Sequence, residues 1–357
     1  MQNCITTTTN ITIGLDLGDR YSTFCELDAT GEILEEGRIT NNRKALKKHF
    51  EPIPPARIVM EVGAQSPWIS KYISNFGHDV IVANPRKLRL IYCNESKSDR
   101  VDAENLARIG RADPKLLAPI QHRSLDTIVD LNVIRNRDLL VRSRTRMILH
   151  VRSVIKVVGG RVPKCQASLF AEKARLFIPA ELQETLFPVL DLITVLDTQI
   201  ADRERRIEEL ADTKYPETEL LTQVPGVGII TALAFILTIE DPTRFSSSRS
   251  VGSYLGLRPK QKESGDKNPQ LGITKAGSVL MRKLLVQSAH VILQDRNPDS
   301  DLKRWGKAIA ERGGRNATKR AAVAVARKLA VLLHRLWLNG EEFEPFRNSE
   351  QMAQIVN

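Results

Sequence analysis

Short apolar runs alternate with helical stretches over the first third of the chain. The segments ITIGLDLG and STFCELDATGEILEEGRI predict three strands, with the ATGE turn joining the second to the third. RIVMEV and DVIVAN predict two more strands, separated by the helical SPWISKYISNFG, which Gly77 is expected to end. Three meandering strands followed by strand, helix, strand and helix predict a mixed sheet covered by helices, which is an α/β or α+β architecture.

From Leu125 the pattern changes to long helices with a seven-residue repeat. Two adjacent apolar rows follow this repeat in the first of them: Val133, Leu140, Met147 and Val154, and Ile134, Val141, Ile148 and Ile155. Its polar positions are mainly arginines, whereas a second heptad helix from Leu182 to Leu210 is acidic. Opposite charges favour antiparallel pairing. Two interpretations stay open: a spacer hairpin within the chain, or a dimerisation arm whose free basic face holds nucleic acid.

The region after Tyr215 is helical and strongly basic. LLTQVPGVGIITALAFI places Gly226 and Gly228 between two short helices, which resembles a helix-hairpin-helix that offers backbone N–H groups to a phosphate. A tight corner between two helices explains the same glycines. Between residues 241 and 338, Lys and Arg outnumber Asp and Glu by 20 to 7. Two helices, ITKAGSVLMRKLLVQSAHVIL and NATKRAAVAVARKLAVLLHRLW, are predicted near the end, and we expect the first to open at about Thr274.

The composition of the chain indicates which classes of partner it can bind. A chain of 357 residues predicts two or three domains, and a net charge of +11 favours phosphate-rich partners, with nucleic acid as the leading class. The four cysteines form no CxxC pair, so we expect neither a zinc site nor a disulfide framework. The sequence shows no signal peptide at its start and no apolar run of about 18 residues. We therefore expect a soluble protein of the bacterial-type cytosol or nucleoid.

Four acids fall at meaningful positions in the first region. Asp16 ends the first strand, Glu61 ends the fourth, and Asp99 and Asp102 open the helix after the fifth. Carboxylates at the ends of neighbouring strands, with two more on one helical face, can converge on a pair of Mg²⁺ ions. Each acid alone has an ordinary explanation, such as a turn cap, a solvent-facing strand end or a helix N-terminal charge. Together, in a basic protein, they favour a metal site for phosphodiester chemistry.

One rival interpretation starts from the same strand. IGLDLGDRYST resembles the first phosphate loop of actin-like ATPases and sugar kinases. That fold needs a second similar lobe with its own DxG loop and a Gly-rich adenosine site. The later glycine motifs GVG and RGG both lie in basic helical surroundings and do not form such a site, so the ATPase interpretation is disfavoured.

Ser264 is the candidate nucleophile. It lies in a polar loop with Lys, Gly and Pro, where a Ser-Gly pair is first of all a turn signal. Nearby basic side chains can hold a phosphate beside its hydroxyl and stabilise developing charge: Arg258, Lys260, Lys262, Lys267 and Lys275. No histidine lies nearby in sequence to activate it. The serines of RFSSSRS are poorer candidates, because that stretch predicts a helix N-cap.

The order of these motifs resembles one family. IGLDLG, VMEVG, NPRKLR, KSDRVDAENLA, QVPGVGIITALAFI, FSSSRSVGSYLGLRP, ESG and ITKAGSVLMRKLL match, in that order, the hallmarks of the DEDD-type insertion-sequence transposases, a group described as bridge-RNA-guided serine recombinases. The resemblance covers residues 10 to 340. It implies an N-terminal RNase H-like (RuvC-like) fold, a coiled-coil insertion and a helical C-terminal transposase domain.

The resemblance also implies roles for residues and partners. Asp16, Glu61, Asp99 and Asp102 would be the DEDD acids that bind Mg²⁺, and Ser264 would attack DNA to form a covalent phosphoserine. A structured noncoding guide RNA would pair with double-stranded donor and target DNA. The protein would be a homo-oligomer, a dimer of dimers, in which the acids of one protomer meet the serine of another. We expect nucleic-acid contacts from these residues: Arg142, Arg144, Arg146, Gly226, Gly228, Arg258, Lys260, Lys262, Lys275 and Arg282.

These expectations divide the chain into four parts. Residues 1–120 form the RuvC-like DEDD domain, 121–214 the coiled-coil region, 215–345 the transposase domain with the serine, and 346–357 a tail. Two alternatives stay open: a RuvC-like nuclease in which metal-activated water attacks DNA, and a non-catalytic nucleic-acid scaffold whose acids only cap helices and turns.

Overall fold

The computed structural model of the protein describes residues 10–88, 98–262 and 271–347. The chain divides into two compact units, Met1–Arg123 and Ser124–Asn357, each described by itself below. Within the described residues, none of the helices is long and apolar enough to cross a membrane.

A five-stranded mixed sheet forms the centre of the first unit. Its strands lie in the order β3-β2-β1-β4-β5. The first three are antiparallel neighbours, and β1, β4 and β5 run parallel. The strands are β1 (Thr12–Leu17), β2 (Tyr21–Leu27), β3 (Ile33–Thr40), β4 (Arg57–Glu61) and β5 (Asp79–Ala83). This confirms the predicted RNase H-like mixed sheet.

Helices cover both faces of this sheet, because its strands alternate their side chains between two cores. Ile13 and Leu15 of β1 join one core with Ile58 and Met60 of β4. This core lies under the first two helices of the unit. The opposite face carries Gly14 and Val59, and the fourth helix packs on it. The helices are α1 (Arg43–Phe50), α2 (Ser66–Ser74), α3 (Pro85–Leu88) and α4 (Asp99–Ala112), followed by a 3₁₀ turn at Pro114–Leu117.

Helix α4 approaches the sheet unusually closely. A Cβ atom built on Gly14 would lie 1.9 Å from the carbonyl oxygen of Ala103, so only glycine at this position of β1 admits the helix backbone. Small residues of α4, Ala103 and Ala107, form the contacting surface together with Cys25 of β2. The Arg57 guanidinium donates to the Gly110 carbonyl, 3.2 Å away, which fixes the far end of the helix.

Two long antiparallel helices open the second unit. They are α5 (Leu125–Val157) and α7 (Ala180–Thr213), with the short α6 (Phe170–Arg175) between them. Arg137 pairs with Glu204, and Arg144, seven residues further along α5, pairs with Asp197, seven residues earlier in α7. The basic and acidic helices therefore pair within the chain as a coiled-coil hairpin.

The rest of the second unit is a helical core. Helix α9 (Ile229–Ile239) is apolar on all sides and nearly every residue of it is buried, so it lies at the centre of this core. The surrounding helices are α8 (Glu217–Thr222), α10 (Ser248–Tyr254), α11 (Val279–Ile292), α12 (Asp301–Glu311) and α13 (Ala317–Asn339).

The start of α11 differs from the sequence expectation. The helix begins at Val279 rather than at about Thr274, with the Ser278 hydroxyl capping it by accepting from the Met281 N–H. Lys275 and Gly277 both have positive φ angles, 56° and 66°, which a right-handed helix excludes. The ITKAG segment therefore forms a tight turn and not the first turn of the helix. The hydrophobic pattern of the sequence does not reveal this turn.

Candidate metal centre and nucleic-acid interface

Asp16 and Glu61 occupy neighbouring positions at one edge of the sheet. The parallel ladder between β1 and β4 pairs Leu15 with Met60, and the two acids are the next residue of each strand. Adjacent strands lie about 4.8 Å apart, and in-register residues point to the same side. By alternation with Gly14 and Val59, that side is the face covered by α4.

Asp99 and Asp102 reach the same edge from above. Ala103 lies over Gly14, whereas Gly110, two turns later, lies near Thr12 and Val59. The helix therefore runs opposite to β1, and its first turn points toward the strand end that carries Asp16.

The two aspartates of α4 lean in different directions. Asp102 precedes Leu106 by four residues and Ile109 by seven, so these side chains share a face that packs toward β4 and β5. Asp99 instead approaches β3, where its Oδ2 lies 3.6 Å from Nη2 of Arg38. The four predicted acids thus lie at one edge of one face.

The donor set at this edge suits a hard divalent cation. Carboxylate oxygens are the ligands that Mg²⁺ prefers. The nearby Cys25 does not compete as a soft ligand, because burial, aided by the Glu36 carboxylate, raises the pKa of its thiol to about 12. In the part of the chain that the structure describes, however, no three His, Cys, Asp or Glu side chains stand close enough together to form a metal-binding group. The structure supplies the acids and their common edge, without a closed ligand shell.

Two arginines flank the acids. Besides Arg38, Arg100 of α4 reaches β3, where its Nη2 lies 2.5 Å from Oε2 of Glu36. The sequence analysis did not select Arg38. The ATGE turn alone would not have identified it, because the register between β2 and β3 shifts between Glu26 and Leu27. Beyond this shift, Arg38 pairs with Thr23, and Thr23 pairs with Asp16.

Ser264 lies outside the described residues, and so does Lys267. The chain on either side of them forms a short antiparallel stem. The Lys260 N–H donates to the Gly272 carbonyl, and the Thr274 N–H donates to the Arg258 carbonyl, each at 2.9 Å. Arg258, Lys260, Lys262 and Lys275 are exposed along this stem. Their exposure is compatible with the predicted phosphate contacts.

Arg282, another predicted nucleic-acid contact, donates to the backbone of the protein itself. Its Nη1 donates to the carbonyls of Leu255 and Gly277, each at 3.2 Å, and to that of Ala276. The guanidinium thereby ties the turn before α11 to the end of α10. This arginine stabilises the backbone that carries the stem.

We expect Arg282→Ala to lower the free energy of unfolding of the full-length protein by about 1–3 kcal/mol, because the carbonyls of Leu255 and Ala276, in part-buried hydrogen bonds, lose their charged donor. Thermal denaturation followed by circular dichroism measures this change. Lys260→Ala, a substitution of an exposed stem residue, is the control and should leave the melting temperature unchanged. An Arg282→Ala protein as stable as the wild type that binds DNA more weakly would show that the side chain serves the ligand.

The coiled-coil arginines differ in availability. Arg144 and Asp197 form an ion pair in which the side chains are only 15% and 18% exposed. Arg142 is exposed, with its nearest acid Asp138 at 3.0 Å, and Arg146 is exposed as well. Arg144 therefore serves the hairpin, while Arg142 and Arg146 face solvent.

The two glycines of the GVG hairpin also differ. Gly226 has a φ of 86°, and a Cβ atom on it would lie 3.1 Å from the Ser288 carbonyl oxygen of α11. Gly228 caps α9, and a Cβ atom there would meet nothing within 4 Å. The first glycine is required by the turn and its packing, and the second leaves the helix N-terminus open.

The serines of RFSSSRS hold the start of α10. Ser247 caps the helix by accepting from the Arg249 N–H, as the sequence predicted. The Ser248 hydroxyl donates to Nδ1 of the buried His334, whose Nε2–H donates to the Pro242 carbonyl, both at 2.9 Å. Burial lowers the pKa of His334, which keeps the imidazole neutral for these two bonds. The Ser248–His334 hydrogen bond joins α10 to α13. The sequence did not predict it, because the two residues are 86 positions apart.

Comparisons with known proteins match two separate segments of the chain. A transposase family model named for DEDD transposases of the IS110 type matches residues 13–159, and the model described as "Transposase IS116/IS110/IS902 family" matches residues 218–303. The transposase for insertion sequence element IS1328 of Yersinia enterocolitica is 30% identical over 333 residues, covering 90% of this chain and 95% of that protein. The transposase for insertion sequence element IS1111A of Coxiella burnetii is 28% identical over 340 residues, covering 93% and 90%.

Proposed function

The chain belongs to the IS110 family of transposases, and from that premise we propose that it cuts and rejoins DNA through a covalent phosphoserine intermediate formed by Ser264. As a transposase with a DEDD domain it is an enzyme that cuts and recombines DNA, and such domains depend on divalent metal ions. The proposal has five further parts. They are the serine nucleophile, Mg²⁺, the guide RNA, the oligomer, and a site of action on the nucleoid DNA of a bacterial cytosol.

One observation carries the metal-dependent cleavage in this proposal: four acids from three elements lie at one edge of the α4 face. Asp16 and Glu61 come from neighbouring parallel strands, and Asp99 and Asp102 come from the first turn of the helix above them. Bound there, Mg²⁺ would supply Lewis-acid stabilisation of the phosphodiester oxygens. The four carboxylates place negative charge at that edge. Their positions are fixed, because both strands and the helix that carry them are held by backbone packing.

The serine step conserves the phosphodiester bond energy. The bond between the serine Oγ and phosphorus forms as the bond between phosphorus and the departing deoxyribose oxygen breaks. The serine hydroxyl gives up its proton and the departing oxygen takes one up, so no proton is gained or lost overall. The reverse attack by a deoxyribose hydroxyl rejoins a strand and releases the serine. Rejoining therefore needs no ATP. Support comes from the exposed basic stem of residues 258–262 and 271–275 on both sides of Ser264.

A RuvC-like nuclease is the second candidate, and the position of the acids in an RNase H-like sheet favours it equally. In that mechanism water attacks the phosphodiester and no protein–DNA bond forms. Denaturing gels of cleavage reactions with end-labelled DNA separate the two. We expect a protein–DNA adduct from the wild type and none from Ser264→Ala. Nicked free DNA, with Ser264→Ala still active, would establish the nuclease instead.

The proposal includes a structured guide RNA and a homo-oligomer, a dimer of dimers, acting on double-stranded donor and target DNA. The excess of basic residues between 241 and 338 supports a large nucleic-acid surface. Sequencing the RNA that copurifies with the full-length protein tests the guide. A single structured species derived from the element is expected, and bulk cellular RNA would contradict it. Light scattering of the purified complex tests the oligomer, and a monomeric mass would contradict it.

A further inference from the structure

Arg38 belongs to a single row of residues that crosses the α4 face. The antiparallel ladders pair Arg38 with Thr23 and Thr23 with Asp16, and Glu61 stands beside Asp16 on the next strand. With neighbouring strands about 4.8 Å apart, the backbone of Arg38 lies roughly 10 Å from that of Asp16. A long arginine side chain at this distance reaches the space next to the acids.

The two arginines near the acids differ in their partners. Arg100 pairs at 2.5 Å with Glu36, a carboxylate only 17% exposed, so its guanidinium is committed to the packing of α4 on β3. Arg38 and Asp99 pair at 3.6 Å and their side chains are 69% and 67% exposed. An exposed pair at this distance contributes little and exchanges partners easily.

We propose that Arg38 exchanges its partner during the reaction: it pairs with Asp99 in the free protein and binds a DNA phosphate once Asp99 turns to the metal ion. This inference rests on the proposed function of the four acids. A guanidinium suits the new partner, because its planar fork of N–H groups binds a phosphate through two parallel hydrogen bonds. The phosphate it binds is the neighbour of the reacting one, since Arg38 stands two strands away from Asp16.

The exchange gives one residue two opposite effects. In the absence of DNA, Arg38 competes with the metal ion for the Asp99 carboxylate and lowers metal affinity. In the presence of DNA, Arg38 adds a phosphate contact and raises DNA affinity. A residue that only stabilised the fold would lower both affinities together.

The test measures both affinities on the full-length protein. Calorimetric titration with Mn²⁺ alone reports metal affinity, and fluorescence anisotropy of a labelled DNA duplex with Mn²⁺ present reports DNA affinity. For Arg38→Ala we expect metal binding to tighten by about two- to fivefold, the size of an exposed ion pair. DNA binding should weaken by about tenfold or more, the size of a charge-assisted hydrogen bond. Arg38→Lys should keep the charge but recover only part of the DNA affinity.

Arg20→Ala is the charge-matched control. Arg20 is an exposed arginine in the turn between β1 and β2, and its removal changes the net charge by the same amount. It should weaken DNA binding slightly and leave metal affinity unchanged. Metal binding by Arg38→Ala that is no tighter than that of Arg20→Ala, or unchanged DNA binding, overturns the exchange.

The acid variants keep this inference distinct from the proposed function. Asp16→Asn and Asp102→Asn should lose Mn²⁺ binding. If they do and Arg38→Ala shows no opposite effects, only the role of Arg38 fails. If they bind Mn²⁺ as the wild type does, the proposed metal centre fails, and the role of Arg38 fails with it.

Discussion

We expect Asp16→Asn to abolish DNA strand cleavage while leaving the first unit folded. Asparagine has the shape of aspartate but not its charge, so the substitution removes the carboxylate proposed to bind the metal ion without creating a cavity. Metal-ion stabilisation of transition-state charge is worth several kcal/mol, and each 1.36 kcal/mol is tenfold in rate. We expect cleavage to fall by about a thousandfold or more in single-turnover assays of labelled DNA with Mg²⁺.

Asp19→Asn is the matched control for that variant. Asp19 is an exposed acid three residues further along the same chain segment, and it receives the identical chemical change. It should cleave DNA at the wild-type rate. Circular dichroism should show unchanged melting for both variants. Cleavage by Asp16→Asn at more than a tenth of the wild-type rate would remove this carboxylate from the reaction.

The same reasoning extends to the helix. Asp99 is exposed and Asp102 partly exposed in the first turn of α4, so neither is needed to fill the core. The helix keeps its N-cap, because the Ser98 hydroxyl accepts from the Val101 N–H. Loss of cleavage in Asp102→Asn would therefore report chemistry rather than folding.

Much of the first unit follows from its sequence, because period-two alternation and one turn signal determine its hairpin. The ATGE turn and the strands on either side of it were sufficient to predict three meandering strands. The acids at strand ends were also visible, since Asp16 and Glu61 each close an apolar run. Their common face was not visible, because it depends on the register between β1 and β4, which are separated by 39 residues of chain between Leu17 and Arg57.

The count of charged residues predicted the basic region, but it did not predict which of its arginines bind other protein groups and which are exposed. Arg282 and Arg258 look alike in sequence, yet one ties three backbone carbonyls together and the other is exposed on the stem. Arg144 and Arg146 differ in the same way on α5. A guanidinium satisfies buried carbonyls or carboxylates as well as phosphates, so only the tertiary partners separate the two uses.

Gly14, two residues before Asp16 on β1, sets the distance between the sheet and the helix that carries the other two acids. Gly14→Ala should lower the free energy of unfolding by about 1–3 kcal/mol or more, because the added methyl carbon collides with helix backbone. The Cβ position lies 1.9 Å from the Ala103 carbonyl oxygen and 2.6 Å from the Ala107 nitrogen. Backbone atoms inside a helix cannot rotate away as a flexible side chain does, so α4 must move as a whole.

The same movement of α4 should also slow DNA cleavage. Asp99 and Asp102 belong to α4, whereas Asp16 and Glu61 belong to strands of the sheet. Any movement of the helix away from the sheet therefore separates the two pairs. A misplacement of about 1 Å costs on the order of a hundredfold in rate. Gly14→Ala should therefore lose cleavage even at temperatures where circular dichroism shows it folded. Gly63→Ala is the matched control, because a Cβ atom on this glycine just after Glu61 meets nothing within 4 Å. Wild-type cleavage by a folded Gly14→Ala protein would mean that the reaction does not depend on the distance between α4 and the sheet.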